Sequence, residues 1–126
     1  TTQLRKLKRR DKDIEEYKAQ ITELTEISQG LVYYSMTIQN QNISQIGKQG
    51  IRQLLASFKV IDEKYSERLE NYDLNPSQSL FCILYHIGKS DEEVMQILQY
   101  SLSNIRVRKS RIKSDTGAES FDDIIS

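Results

Sequence analysis

The side chains with the most chemical character stand together near the C-terminal end. Positions 106 to 113 hold Arg106, Arg108, Lys109, Arg111 and Lys113 with no acidic residue among them, although the whole chain balances 18 basic against 18 acidic residues. A positive cluster in a neutral chain is a surface for a polyanion. Arg presents a bidentate fork to guanine O6 and N7, Val107 an apolar contact for a thymine methyl, and Lys a point charge for phosphate. The other reactive types are the single cysteine and single histidine, Cys82 and His86. Four residues apart on a helix they share a face, the minimum for a Cys-His nucleophile or half a metal site. No second ligand pair accompanies them, and a free cysteine is ordinary in a helical core, so packing is the expected role. Gly47 and Gly50 lack the strand-turn-helix setting of a phosphate loop. No catalytic residue, cofactor or metal is expected, and the chain reads as a binding protein rather than an enzyme.

A basic cluster reads nucleic acid only if helices hold it out. Asn75-Pro76 is a helix start, with Asn as cap and Pro at the first position. Leu80, Phe81, Ile83, Leu84 and Ile87 make a broad apolar face ended by Gly88. Ser90 and Glu93 form a capping box for a second short helix with Val94, Ile97 and Leu98 inside. Ser101 caps a third, anchored by Leu102, Ile105 and Ile112 and running over residues 102–114. With Ile105 and Ile112 inward, Arg106, Lys109, Ser110 and Lys113 face outward, flanked by Val107 and Arg108. Ser101, Ser103 and Asn104 at its start can donate to a phosphate. Three short helices with tight turns and a basic last helix describe a helix-turn-helix.

Upstream, residues 1–46 read as a long helix. Leu7, Ile14, Ile21 and Ser28 fall at a, and Arg10, Tyr17, Leu24 and Leu31 at d, so six of the eight seam positions are apolar or aromatic. The spacing predicts a short coiled coil and a homodimer through Leu7, Ile14, Tyr17, Ile21, Leu24 and Leu31. In a parallel pair Lys6 faces Asp11 of the second copy and Asp13 faces Lys18. The competing reading is one amphipathic helix packed on its own domain. The basic run at residues 4–10 also fits the cytoplasmic flank of a membrane-spanning segment. Gly47 and Gly50 predict a helix break, and Ile51, Leu54, Leu55, Phe58, Ile61, Tyr65 and Leu69 a lead-in helix over residues 51–71. Pro76 stops it.

The residues from Leu74-Asn75-Pro76-Ser77-Gln78, through Gly88-Lys89-Ser90-Asp91-Glu92-Glu93-Val94, to Tyr100-Ser101 and Ile105-Arg106-Val107-Arg108-Lys109-Ser110-Arg111-Ile112-Lys113 resemble the LuxR-type DNA-binding domain. The resemblance covers about residues 72–117. It implies a tetrahelical domain binding double-stranded DNA, with a scaffold helix from Asp91 and a recognition helix from Leu102. Carried over by position, Arg106, Val107 and Ser110 match base-facing places, and Ser103, Asn104, Lys109 and Lys113 match backbone contacts. Glu93 matches the characteristic scaffold-helix Glu. The chain departs from the pattern at Lys89, usually apolar, at Met95, usually small, at Arg108, usually His, and at Asp115-Thr116, usually Lys-Leu. Residues 58–69 also resemble the lead-in of large regulators in which this domain follows a coiled coil, which implies an upstream sensor region in a larger parent chain.

Composition bounds the rest. With 126 residues, one Pro, five Gly and no Trp, the chain is expected to be all-α, a long N-terminal helix followed by a helical bundle. One cysteine requires no oxidising compartment, and no apolar run approaches the about 20 residues that span a bilayer, so a cytoplasmic setting is expected. The absence of an initiating Met marks Thr1 as the expected edge of a fragment. The acidic tail, residues 118–126, sets Phe121, Ile124 and Ile125 among carboxylates and is expected to dock as a short helix, competing with DNA if it reaches Arg106. Two readings remain: a DNA-binding output domain, or a helical protein-interaction module without DNA binding.

Overall fold

The computed structural model describes residues 2–126, with side chains from Asp11 onward. The described residues are all-helical, with no strand. The first helix, α1, spans Thr2–Ile38. It ends at Asn40, whose positive φ of 58° lets its N–H reach Thr37 O at 3.0 Å while Gln41 N reaches Met36 O at 2.9 Å. This paired closure is the Schellman arrangement with Asn in the left-handed position. The predicted helix over residues 1–46 is therefore eight residues too long. Residues 39–46 are instead a strap that buries Ile43 and bonds its N–H to Ile97 O at 2.9 Å.

Gly47, at φ +71°, begins α2, Gly47–Ile61, rather than ending the helix before it. The predicted single lead-in helix over residues 51–71 is two helices, because Asp62 leaves helical geometry (φ −139°, ψ 82°) and its carboxylate caps Tyr65 N, starting α3, Glu63–Glu70. An Asp offering its oxygen to the backbone two or three residues on competes with continuation of the helix. The break turns Tyr65, Ser66 and Leu69 into the core.

The helices α1 and α2 pack at small residues. A Cβ on Gly30 would collide with the carbonyl oxygen of Gln53, and one on Gly50 would come within 2.6 Å of Ile46 Cβ and 3.2 Å of Tyr33. Buried Thr37 and Ser57 complete the contact, each hydroxyl satisfied by a carbonyl of its own helix.

Asn75 and Gln78 form a reciprocal capping box that starts α4, Pro76–His86, with Pro at its head. Every residue from Leu80 to Leu84 is buried, so α4 is the central helix. Around it lie α5, Asp91–Leu98, α6, Leu102–Thr116, and α7, Phe121–Ile125. The core joins Leu54 and Phe58 of α2 to Tyr65, Leu69, Val94, Ile97, Ile105, Ile112 and Ile124. The tail docks as expected: Ile124 is fully buried, the Phe121 ring packs against Phe81 and Tyr85, and Arg68 and Tyr65 donate to the carbonyls of Asp123 and Ile124. Among the described residues its carboxylates make no ion pair with α6.

Candidate functional site

The helices α5 and α6 owe their limits to caps. Ser90 Oγ accepts from Glu93 N at 3.2 Å, and Glu93 Oε1 accepts from Ser90 N at 3.0 Å. Gln99 closes α5 in the left-handed conformation, φ 59° and ψ 42°, and its amide donates to Gln96 O at 2.7 Å. Two residues later Ser101 Oγ accepts from Asn104 N at 3.1 Å and α6 begins. A turn this short fixes the angle between the two helices. Met95, one of the departures from the LuxR-type pattern, is half-buried against the core.

Ile105 and Ile112, each 1% exposed, hold α6 to the body as the spacing predicts. Arg106, Val107, Ser110, Arg111, Lys113 and Ser103 are exposed. Among the described residues, the side chains of Arg106, Arg111 and Lys113 have no hydrogen-bond or ion-pair partner. They form the free cationic face.

Two expected contacts are otherwise engaged. Lys109 is half-buried, with Nζ 2.9 Å from Asp91 Oδ1 and 4.5 Å from the Tyr85 ring centroid, so it ties α6 to α5 and α4. Tyr85 donates to the same Asp91 oxygen at 2.6 Å. This bond first, and the Lys109 ammonium second, hold the Asp91 carboxyl below the usual carboxylate range, while burial pushes the Tyr85 hydroxyl up. Asn104 is half-buried too, its amide oxygen accepting from Arg108 Nε at 2.8 Å. Arg108 stacks 4.1 Å above Tyr100, the residue in the turn. At the far end of α6, Asp115 accepts from Gln78 Nε2 at 3.1 Å, anchoring the helix to the start of α4.

A second polar cluster escaped the sequence reading. Lys89 Nζ donates to Ile38 O at 3.0 Å and to Asn40 Oδ1 at 2.6 Å, and Asn40 Nδ2 donates to Glu93 Oε2 at 2.9 Å. The lysine caps the C-terminus of α1, where a cation complements the helix dipole. Glu93 thus serves both the cap of α5 and the end of α1, and its carboxyl lies below the ordinary range through the Ser90 backbone bond first and the Asn40 bond second. The available signal was a cation at a position where the resembling family is apolar, together with a polar tract containing Asn40.

Cys82 and His86 do not act as a pair. Cys82 is fully buried, and burial pushes its thiol up to about 12. The His86 ring stacks on Tyr65 at 3.5 Å and 4°, with Nδ1 2.6 Å from Ile125 O and Nε2 3.2 Å from Asp62 Oδ2. The histidine joins α4 to α7 and to the α2–α3 break. Among the described residues no group of three His, Cys, Asp or Glu side chains is placed to hold a metal, and no helix is long and apolar enough to cross a membrane.

The predicted dimer residues lie on an open face. Ile14, Tyr17, Ile21, Leu24 and Leu31 are 43 to 64% exposed, while the Leu7 side chain lies outside the described residues. At 100° per residue this face points about 160° away from Gly30 and Thr37, which meet α2. The cis contact and the seam occupy opposite sides of one helix.

Compared with known proteins, the chain matches no family model, no curated protein and no solved structure.

Proposed function

We propose that the chain is a DNA-binding output domain in which α6 enters the major groove and α1 joins two copies. The observation that carries the reading is the exposed face of α6: three cations without a partner among the described residues, and Val107, follow a capped short helix and a three-residue turn, above the buried Ile105 and Ile112. Arg106 suits a bidentate guanine contact near the middle of that face, with Val107 beside it for a thymine methyl. Arg111, Lys113 and Ser103 address phosphates on either side. The resemblance of residues 72–117 to the LuxR-type domain supports the same assignment. Lys109 and Asn104 act in this scheme by positioning α6 and Arg108, not by direct contact.

Selection from a random duplex pool followed by salt titration tests the proposal. Affinity falls steeply with salt if phosphates are neutralised, and Arg111→Ala and Lys113→Ala each lower the logarithmic slope by about 1. Arg106→Ala costs about 1–3 kcal/mol on the selected site and relaxes discrimination there. Absence of salt-sensitive binding to any duplex in the pool refutes the reading. A protein-interaction module is the second reading, favoured by the internal engagement of Arg108 and Lys109, which withdraws two of the five cations of α6.

A further inference from the structure

The buried hydroxyls of Thr37 and Ser57 each donate to a carbonyl three residues back on their own helix, at 2.6 and 2.7 Å. Ser66 of α3 is buried too, at 8% exposure, but among the described residues its hydroxyl makes no hydrogen bond and lines a cleft of about 190 Å³ between α2, α3 and α4. No polar side-chain atom among the described residues is both sealed and unpaired, so this oxygen stays reachable from the cleft. A hydroxyl buried without a partner costs free energy that a bound group recovers.

The cleft joins that hydroxyl to an apolar wall and a charged mouth. Leu55 and Ala56 of α2, Leu69 of α3 and Ile83 of α4 form the wall. Ser79 of α4, half-buried and without a side-chain hydrogen bond among the described residues, adds a second hydroxyl. Lys59 from α2 and Glu70 from α3 meet across the mouth at 3.1 Å. Their side chains are 49% and 60% exposed, so water screens the pair and it opens at little cost. Three carboxylates, Glu70, Glu67 and Glu63, act on the Lys59 ammonium, so the mouth is negative on balance.

We infer that this cleft binds a small aliphatic primary amine as its ammonium, with the alkyl chain between Leu55, Leu69 and Ile83 and the head on Ser66 and Glu70. An ammonium brings three N–H donors and no acceptor. Ser66 and Glu70 stand one turn apart on α3 and are neighbours on its surface, so one nitrogen reaches both. Glu70 then exchanges the Lys59 ammonium for that of the ligand, and Lys59 turns into water. A carboxylate head meets the opposite field, with Glu70 facing it. An alcohol keeps the hydroxyl contacts and lacks the ionic one. At about 30 Å³ per water-sized group the cleft takes about six non-hydrogen atoms, the size of pentylamine. A ligand this small binds with a Kd of about 1 mM. No residue lining the cleft belongs to α6, so the site is independent of DNA binding.

Titration of the full, isotopically labelled chain, followed by amide and methyl NMR at constant pH and ionic strength, tests the inference. Three probes share one alkyl chain: pentylammonium chloride, pentan-1-ol and sodium pentanoate. Pentylammonium gives saturable shifts at Leu55, Ser66, Leu69, Ser79 and Ile83, and the alcohol and the carboxylate bind about tenfold more weakly for want of the charged contact. Ser66→Ala weakens pentylammonium about tenfold and leaves the melting temperature level or higher, because within the fold the hydroxyl has no bond to lose. Ala56→Leu, at an exposed position on the wall, fills the cleft and abolishes binding. No saturable shift at those five residues overturns the site, as does pentylammonium binding that survives Ala56→Leu. Equal binding of the alcohol, or unchanged affinity in Ser66→Ala, overturns the ammonium head on Ser66 and Glu70.

Discussion

Lys109 and Arg106 stand three residues apart on the same helix, Lys109 engaged within the fold and Arg106 exposed, and the proposed function gives them different work. Replacing Lys109 by Ala removes an ion pair to Asp91 at 2.9 Å and a cation held 4.5 Å from the Tyr85 ring. The two side chains are 32% and 40% exposed, so the pair contributes as a partly screened one, about 0.5–1 kcal/mol. The aromatic contact adds about 0.5–1 kcal/mol, for a combined loss of about 1–2 kcal/mol. At about 2.1 cal/mol/K per residue, unfolding entropy for a chain of this length converts 1 kcal/mol into about 4 °C, so the melting temperature falls by about 4–8 °C. Arg106 has no partner to lose among the described residues, and Arg106→Ala shifts the melting point by less than about 2 °C. The assay is paired: thermal unfolding followed by circular dichroism, and titration of each variant with the selected duplex well below its melting temperature. The expected result is a double dissociation, with Lys109→Ala mainly destabilising and Arg106→Ala mainly weakening DNA binding. A Lys109→Ala chain as stable as wild type, or an Arg106→Ala chain that melts early and binds normally, refutes the division of roles.

Three further outcomes follow from the packing and the polar clusters. Gly30→Val places a branched side chain on the Gln53 carbonyl, forces α1 away from α2, and destabilises by about 1–3 kcal/mol or more, measured by urea unfolding. Lys89→Met leaves Ile38 O and Asn40 without their donor and costs about 1–2 kcal/mol, with amide exchange accelerating at Asn40 and Gln41 before it does in α4. Stability falls on acidification, because Asp91, Asp62 and Glu93 all have carboxyl values below their ordinary ones in the folded chain. Their contribution is therefore full above the unfolded value of about 4 and is lost as pH drops through the lower folded values. Denaturant midpoints that stay level from pH 6 to pH 2 would contradict it, and Asp91→Asn should flatten part of the slope.

The legible features were those whose signal is local. Ser90 with Glu93, Asn75 with Pro76, and Ser101 each announce a helix start through a side chain that reaches only three residues, and each cap forms as the sequence predicts. The inward placement of Ile105 and Ile112 follows from one helical period. What failed depends on partners far along the chain. Gly47 reads only as a break, and the strap that ties Ile43 to Ile97 makes it a helix beginning. The apolar period over residues 51–71 runs through Asp62 without a signal, although Asp62 ends α2, caps α3 and meets His86 from α4. Lys109 has the correct spacing for the outer face, yet Asp91, eighteen residues earlier, turns it back. Spacing along one helix gives direction, whereas the occupancy of a long flexible side chain is set by whatever acid or ring the fold brings within its reach.

The end of α1 reaches α6 through polar contacts with α5, which bears on how pairing at one end, as proposed, would affect binding at the other. Pairing alone does not orient a DNA-reading helix if a flexible linker intervenes. Here the end of α1 is closed by its own backbone, capped by Lys89 from the loop before α5, and joined through Asn40 to Glu93 in the first turn of α5. Ile43 then bonds its N–H to Ile97 in the last turn of α5. Contacts at both ends of an eight-residue helix leave it little freedom to turn relative to α1. Because the turn from Gln99 to Ser101 fixes α6 on α5, the direction of α1 sets the direction of α6. In a dimer joined through α1 as proposed, a change in the angle between the two helices would reach the cationic faces through Asn40, Lys89 and Glu93, the polar residues that tie the end of α1 to α5.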